Sequence, residues 1–282
     1  MKERPDPLVS PAWLNAKLGA PDLRIVDATW FLPIEPYDAR DEHNRARIPG
    51  AIFFDIDEIA DDKSALPHML ASPEKFASRM RKMGIGDGST IVVYDARGLF
   101  SAARVWWNFR VMGYDDVFVL DGGLPAWKAA GYEIEDGPDF PRQERHFTAR
   151  YRGGLVANIE DVRKAVECGA QILDARPRGR FDGREPEPRP GLRGGHMPGA
   201  INTPPAYLFN KDGSMKSRAD LIGFLSDIDL DPNKPIVCTC GSGVSAAVIA
   251  LALARVGKWE APVYDGSWAE WGARADTPVA TA

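Results

Sequence analysis

Cysteine and histidine are scarce in this 282-residue chain: Cys168, Cys238 and Cys240 are the only cysteines, and there are four histidines. No Cys-x-x-Cys pair and no cluster of histidines occurs, which disfavours a metal centre or a dithiol redox pair. Three cysteines cannot all pair within one chain, and this suits a reducing compartment. The chain also lacks any run approaching the roughly 18 apolar residues of a membrane span. Its opening stretch, MKERPDPLVSPAW, has Pro, Asp and Pro where a secretory signal needs an apolar segment. The expected setting is cytoplasmic. Positive charge is not in excess: Lys and Arg number 35 against 40 Asp and Glu, a net charge of −5. That balance disfavours nucleic acid and anionic membrane as partners.

What the chain does have is repetition. RIVDATWFLP at 24–33 answers QILDARPRGR at 171–180, and RIPGAIFFDID at 47–57 answers HMPGAINTPPA at 196–206. STIVVYDARGLFSAARVWW at 89–107 answers KPIVCTCGSGVSAAVIALA at 234–252, and VLDGGLPAW at 119–127 answers VYDGSWAEW at 263–271. Four blocks in the same order, about 145 residues apart, mean tandem domains; solenoid periods are far shorter. The expected boundaries are a first domain over 7–135, a polar linker over 136–152 and a second domain over 153–279. In each half, short continuous apolar strands alternate with helical spacings such as PEKFASRMRKM (73–83) and RADLIGFLSDI (218–228). Such strands suit a mainly parallel sheet covered by helices on both faces, so the fold class is α/β, twice.

The chemistry gathers at the block Lys234–Ala252. The pattern predicts a strand ending at Thr239, a loop Cys240-Gly241-Ser242-Gly243-Val244, Ser245 as helix N-cap, and a helix over Ala246–Val256 stopped by Gly257. Glycines at 241 and 243 let the backbone curl so that successive N–H groups converge on one atom. At a helix N-terminus, such a nest favours negative charge at its centre, the surroundings a thiolate nucleophile needs. Cys238, on the strand, reads as core. A cysteine phosphatase would carry an arginine about six residues past its nucleophile to hold phosphate oxygens. Here that position is Ala246, and the phosphatase reading fails.

The tandem halves, with DGSWAEW, GHMPGAIN and CGSGVSA, resemble the two-domain rhodanese-like sulfurtransferases over nearly the whole chain. CGSGV is similar to the loop of the 3-mercaptopyruvate sulfurtransferase type, whereas the thiosulfate type places Arg and Lys after the cysteine. A dianionic donor is best met by cations there, and Gly241 and Ser242 supply none. The resemblance implies a persulfide carried on Cys240, cradled by residues 241–245, and a silent first domain with Asp95 at the cysteine position. It implies Arg180 and Arg189 as clamps for the donor's carboxylate and keto oxygen, for which the planar guanidinium is suited. Arg178 and Arg184 read as solvated, and Arg176 as an internal ion pair. The resemblance further implies a proton relay of Asp57, His68 and Ser242; His43, His146 and His196 have no such case, and His196 reads as holding its turn. The implied reaction moves sulfur from 3-mercaptopyruvate to a thiol (a thioredoxin-like protein or a small molecule) or to cyanide, releasing pyruvate. It needs no metal and no organic cofactor. Two alternatives stand beside it: thiosulfate:cyanide sulfurtransfer on the same scaffold, and a persulfide-relay module serving one protein partner.

Overall fold

The computed structural model describes residues 4–231 and 233–282. It divides into two compact units: one of residues up to Asp62 with Leu70–Arg152 and Asn210–Met215, the other of Lys63–Met69, Gly153–Phe209 and Lys216–Ala282. Each unit therefore takes in one short segment from the opposite half of the sequence.

The first unit runs β1 (Leu8–Val9), α1 (Pro11–Asn15), β2 (Leu23–Asp27), α2 (Ala39–Arg45), β3 (Ile52–Phe53), α3 (Pro73–Lys82), β4 (Thr90–Tyr94), α4 (Ala102–Val111), β5 (Val117–Leu120) and α5 (Gly123–Ala129). The second repeats it as β6 (Val156–Ala157), α6 (Ile159–Glu167), β7 (Gln171–Asp174), α7 (Arg178–Phe181), β8 (Ile201–Asn202), α8 (Arg218–Asp227), β9 (Ile236–Thr239), α9 (Ala246–Arg255), β10 (Val263–Tyr264) and α10 (Ser267–Trp271). Their sheets have the orders β1-β5-β4-β2-β3 and β6-β10-β9-β7-β8, the same permutation, and every strand pair is parallel.

Local chemistry sets the helix starts. Ser72 and Ser217 accept the N–H groups of Lys75 and Asp220, and Asn158 forms a reciprocal capping box with Asp161. Parallel strands need crossovers, and right-handed crossovers place connections that run in opposite directions along a sheet on opposite faces. By that rule α1 and α2 lie on one face of the first sheet, and α3 and α4 on the other. Leu14 of α1 and Trp127 of α5 accordingly share one cluster with Ile25, Val92 and Tyr94. In the second unit Val162 of α6 and Trp268 and Trp271 of α10 pack with Ile172, Val237 and Tyr264. The chain leaves β7 toward β8 and leaves β9 toward β10, in opposite directions from adjacent strands. Ligands bind outside the carboxyl ends of strands at such a reversal. Among the described residues no helix is long and apolar enough to cross a membrane.

Candidate active site

β9 ends at Thr239, which pairs with Asp174 at the end of β7, so the residues that follow the two strands emerge side by side. After β9 comes Cys240, 2% exposed, and after β7 comes the arginine-bearing segment with α7. Gly243 has φ +79°, the left-handed region that glycine enters without penalty, and its N–H donates to Cys240 Sγ at 3.1 Å. Gly241 needs no such conformation, and a side chain added there would meet nothing within 4 Å. The curl thus depends on Gly243, not on both glycines.

Ser245 is not the side-chain cap expected from the sequence. It has helical angles (φ −74°, ψ −16°), and its hydroxyl makes no cap hydrogen bond. The donors such a cap would accept are already taken, since Ala247 and Val248 N–H donate to the carbonyls of Val244 and Ser245 at 3.3 and 3.1 Å. In the first unit Ser101 likewise starts a helix without capping it, and its N–H points into the loop. There the Asp95 carboxylate fills the centre. Its Oδ2 accepts from Phe100, Ser101 and Ala102 N–H at 2.8, 2.9 and 2.9 Å, and Oδ1 accepts from Arg97 N–H at 2.8 Å. Burial pushes the Asp95 carboxyl above its ordinary value, and the N–H groups of Ala102, Phe100 and Arg97 pull against that rise. In the second unit, among the described residues, the N–H groups of Val244, Ser245 and Ala246 donate to no protein acceptor. The duplicated loop keeps its donors and lacks the carboxylate.

The repeat VYDGSWAEW holds the loop from behind. Trp268 and Ala269 N–H groups donate to the carbonyls of Cys240 and Gly241 at 2.9 and 2.8 Å. Ser267 Oγ accepts the Cys240 N–H at 3.2 Å, donates to Tyr264 O at 2.8 Å and lies 4.0 Å from Sγ. Ser267 has φ +48°, a conformation costing a non-glycine residue about 1–2 kcal/mol. Its counterpart Gly123 has φ +55° at no such cost. Sequence reasoning did not assign Ser267 a role, although the mismatch of DGG (121–123) against DGS (265–267) in the repeat carried the signal. Cys238 packs in the core as expected; burial, with Cys240 beside it, pushes its thiol well up and keeps it protonated.

The arginines separate as their surroundings dictate. Arg176 is buried and forms the internal ion pair expected of it. It reaches Asp174 at 2.6 Å and Glu187 at 2.8 Å, donates to Gly195 O, and stacks 4.0 Å from the Trp268 ring centre. That network ties the segment holding Arg189 to β7 and α10. Arg178 and Arg184 are exposed and share Asp182. Arg180, on α7, is partly buried, and among the described residues its guanidinium has no hydrogen bond or ion pair. Behind it, His196 Nδ1 donates to Phe181 O at 2.8 Å and its ring stacks on Phe181 at 3.8 Å, so His196 steadies α7.

Of the three groups of the expected relay, one lies in the first unit and two in the second. Asp57 lies in the first unit and accepts Trp30 Nε1–H at 2.9 Å. His68, in the segment belonging to the second unit, is 7% exposed with φ +58°, and its Nε2 lies 3.3 Å from Arg189 Nη2. Ser242, 6% exposed, makes no side-chain hydrogen bond among the described residues, so none links it to His68.

Two parallel α/β units of one topology, the second with a cysteine at the mouth of its central strand, define the class of protein. The family model of the Rhodanese-like domain matches residues 10–130 and 158–274, and the chain belongs to that family. It is 43% identical over 270 residues to the 3-mercaptopyruvate sulfurtransferase of Escherichia coli (strain K12), covering 95% of each chain. It is 40% identical over 295 residues to the mitochondrial thiosulfate/3-mercaptopyruvate sulfurtransferase 1 of Arabidopsis thaliana, covering 97% of this chain and 78% of that one. The crystal structure of the E. coli 3-mercaptopyruvate sulfotransferase SseA superposes with a TM-score of 0.84 at 39% identity, over 93% of this chain and 99% of that one.

Proposed function

We propose that this chain is a 3-mercaptopyruvate sulfurtransferase with Cys240 as its sulfur carrier. The observation that carries the reading is the pair of loops. Counting from Cα, Asp95 runs Cβ, Cγ, Oδ2, and a persulfide on Cys240 would run Cβ, Sγ, Sδ. The carboxylate oxygen held by three N–H groups in the first unit therefore stands for the outer sulfur, and Val244, Ser245 and Ala246 supply the matching donors.

The Cys240 thiolate attacks the sulfur of the donor, forming an S–S bond as the C–S bond breaks. The electron pair of that bond becomes the pyruvate enolate, which takes one proton at carbon to give pyruvate. Arg180, with no protein partner, and Arg189 hold the carboxylate and keto oxygen. Ser242, a buried hydroxyl free to turn, delivers the proton. An acceptor thiolate, on a thioredoxin-like protein or a small thiol, then takes the outer sulfur and regenerates the Cys240 thiolate; cyanide can do the same. A loop without cations at 241 and 242 favours mercaptopyruvate over dianionic thiosulfate, and the double name of the Arabidopsis relative keeps thiosulfate as a secondary donor. The three free thiols suit a reducing compartment, and cytoplasmic residence belongs to this reading.

The test is a comparison of the two donors with intact-mass analysis. Mercaptopyruvate should be the better donor and should leave one added sulfur, located on Cys240. Cys240→Ser should lose loading and turnover, while Cys238→Ala and Cys168→Ala keep most of both. Sulfur found on Cys238, or thiosulfate as the preferred donor, would reject the proposal.

A further inference from the structure

We infer that the C-terminal residues Thr277–Ala282 are a positioning element of the donor site, a strap that holds α7 and the stretch after it so that the arginines there meet the donor already ordered. This rests on the reading of Arg180 and Arg189 as clamps. α7 is a single turn with no side-chain cap at its start. One turn fixes several backbone angles for very few hydrogen bonds, so it does not hold by itself. Its support comes from outside. The His196 ring holds Phe181, and Ala282 N–H donates to the carbonyl of Asp182, the C-cap of α7, at 3.4 Å. His196 is itself paired with the strap in an antiparallel bridge: its N–H donates to Ala280 O at 2.8 Å, and its carbonyl accepts Ala280 N–H at 2.9 Å. The strap therefore grips both ends of the stretch from Asp182 to His196, in which Arg189 lies.

The backbones cross too closely for side chains. Gly195 has φ +116°, and a Cβ there would collide with the Ala280 carbonyl. Gly183 has φ +76°, and a Cβ there would lie 3.2 Å from Thr281 Cγ2 and 3.1 Å from the Gly195 nitrogen. Glycine stands at each end of the stretch, where the strap passes.

The repeat separates what the fold needs from what this unit adds. The first unit has the same bridge, Arg47 with Glu135, at 2.9 Å each way. Beyond it that chain runs to α2, where Gly137 N–H donates to Asn44 O and Asp139 meets Arg40 and His43. In the second unit the chain beyond the bridge turns to the end of α7 instead, in the copy that carries Cys240 and the arginines. The root of the strap is a separate matter: Thr277 Oγ1 and the Pro278 carbonyl are bonded to Trp271 of α10. Its last three residues can therefore go without releasing α10.

The experiment deletes Ala280–Ala282 and follows the two half-reactions separately by rapid quench and intact mass. In the deletion variant, loading of Cys240 should need roughly 5- to 100-fold more mercaptopyruvate for its half-maximal rate, the cost of ordering two long side chains on binding. The saturated loading rate should change less than about threefold. Unloading of the preloaded enzyme by 2-mercaptoethanol should keep its wild-type rate, because that step uses neither clamp. In the full chain, Ala280→Pro lacks the N–H that His196 O accepts and should show the same shift in weaker form. Ala280→Ser keeps the backbone and should show none. If the deletion variant does not fold, Ala280→Pro carries the test. Equal losses in both half-reactions would make the strap a general prop and overturn the inference, as would wild-type loading in both the deletion and Ala280→Pro. Wild-type loading in Arg180→Met and Arg189→Met would remove the clamp reading itself. A raised donor requirement in those two with none in the deletion would remove the strap alone.

Discussion

Replacing Ser267 separates two things one residue does, and the repeat supplies the control. Its hydroxyl accepts the Cys240 N–H and donates to Tyr264 O, and both groups are buried. Ser267→Ala removes the hydroxyl and keeps the Cβ at φ +48°, so the cost is that of buried partners left unsatisfied, about 1–3 kcal/mol. Ser267→Gly loses the same hydrogen bonds but returns the left-handed strain of about 1–2 kcal/mol, less about 0.5–1 kcal/mol of extra chain entropy. The glycine variant should therefore be about 0.5–1 kcal/mol more stable than the alanine variant, the reverse of the usual order. Urea unfolding followed by tryptophan fluorescence, with Trp268 adjacent, reads the difference as a shift in midpoint at constant slope. Sulfur transfer should fall in both variants by a similar factor, on the order of tenfold, since each leaves the Cys240 N–H without the acceptor that sets Sγ. An alanine variant as stable as the glycine variant would refute the strain; unimpaired transfer in both would refute the positioning of Cys240.

Two further outcomes follow from the loops. Gly241→Arg with Ser242→Lys should raise thiosulfate use relative to mercaptopyruvate, because the loop gains cations and loses its proton donor. Gly241 has the space and the ordinary backbone angles to take a side chain, so an unchanged donor ratio in steady-state assays would mean loop charge does not set specificity. Asp95→Ala should destabilise the protein by about 3 kcal/mol or more, since it strands the N–H groups of Arg97, Phe100, Ser101 and Ala102. Intact mass after donor treatment should still show Cys240 fully loaded; a thermal midpoint equal to wild type would show that the carboxylate is not what satisfies that loop.

Much of this was legible in the residues alone. The duplication followed from four repeated blocks, the α/β class from short apolar runs alternating with amphipathic helices, and Cys240 from a strand–cysteine–glycine–helix order. Those are local signals: a strand, a turn and a helix start depend on neighbours within a few residues, and the sequence carries them whole. Arg176 was readable as an ion pair for the same reason, since Asp174 is two residues away. What was misread concerned direction. Ser245 has the chemistry of an N-cap, but the N–H groups its hydroxyl would accept, those of Ala247 and Val248, already donate to the carbonyls of Val244 and Ser245. Ser242, His68 and Asp57 could be carried over as a set by resemblance, yet whether two side chains meet depends on contacts between distant segments. Tertiary packing brings His68 Nε2 within 3.3 Å of Arg189, 121 residues on, and Asp57 beside Trp30, contacts that spacing does not announce. The sequence determined which unit would carry sulfur, because a carboxylate stands in one loop and a thiol in the other. The tertiary structure alone decided which partners hold that thiol and the arginines after β7, because a hydrogen bond selects on distance and angle, and neither is written in spacing along the chain.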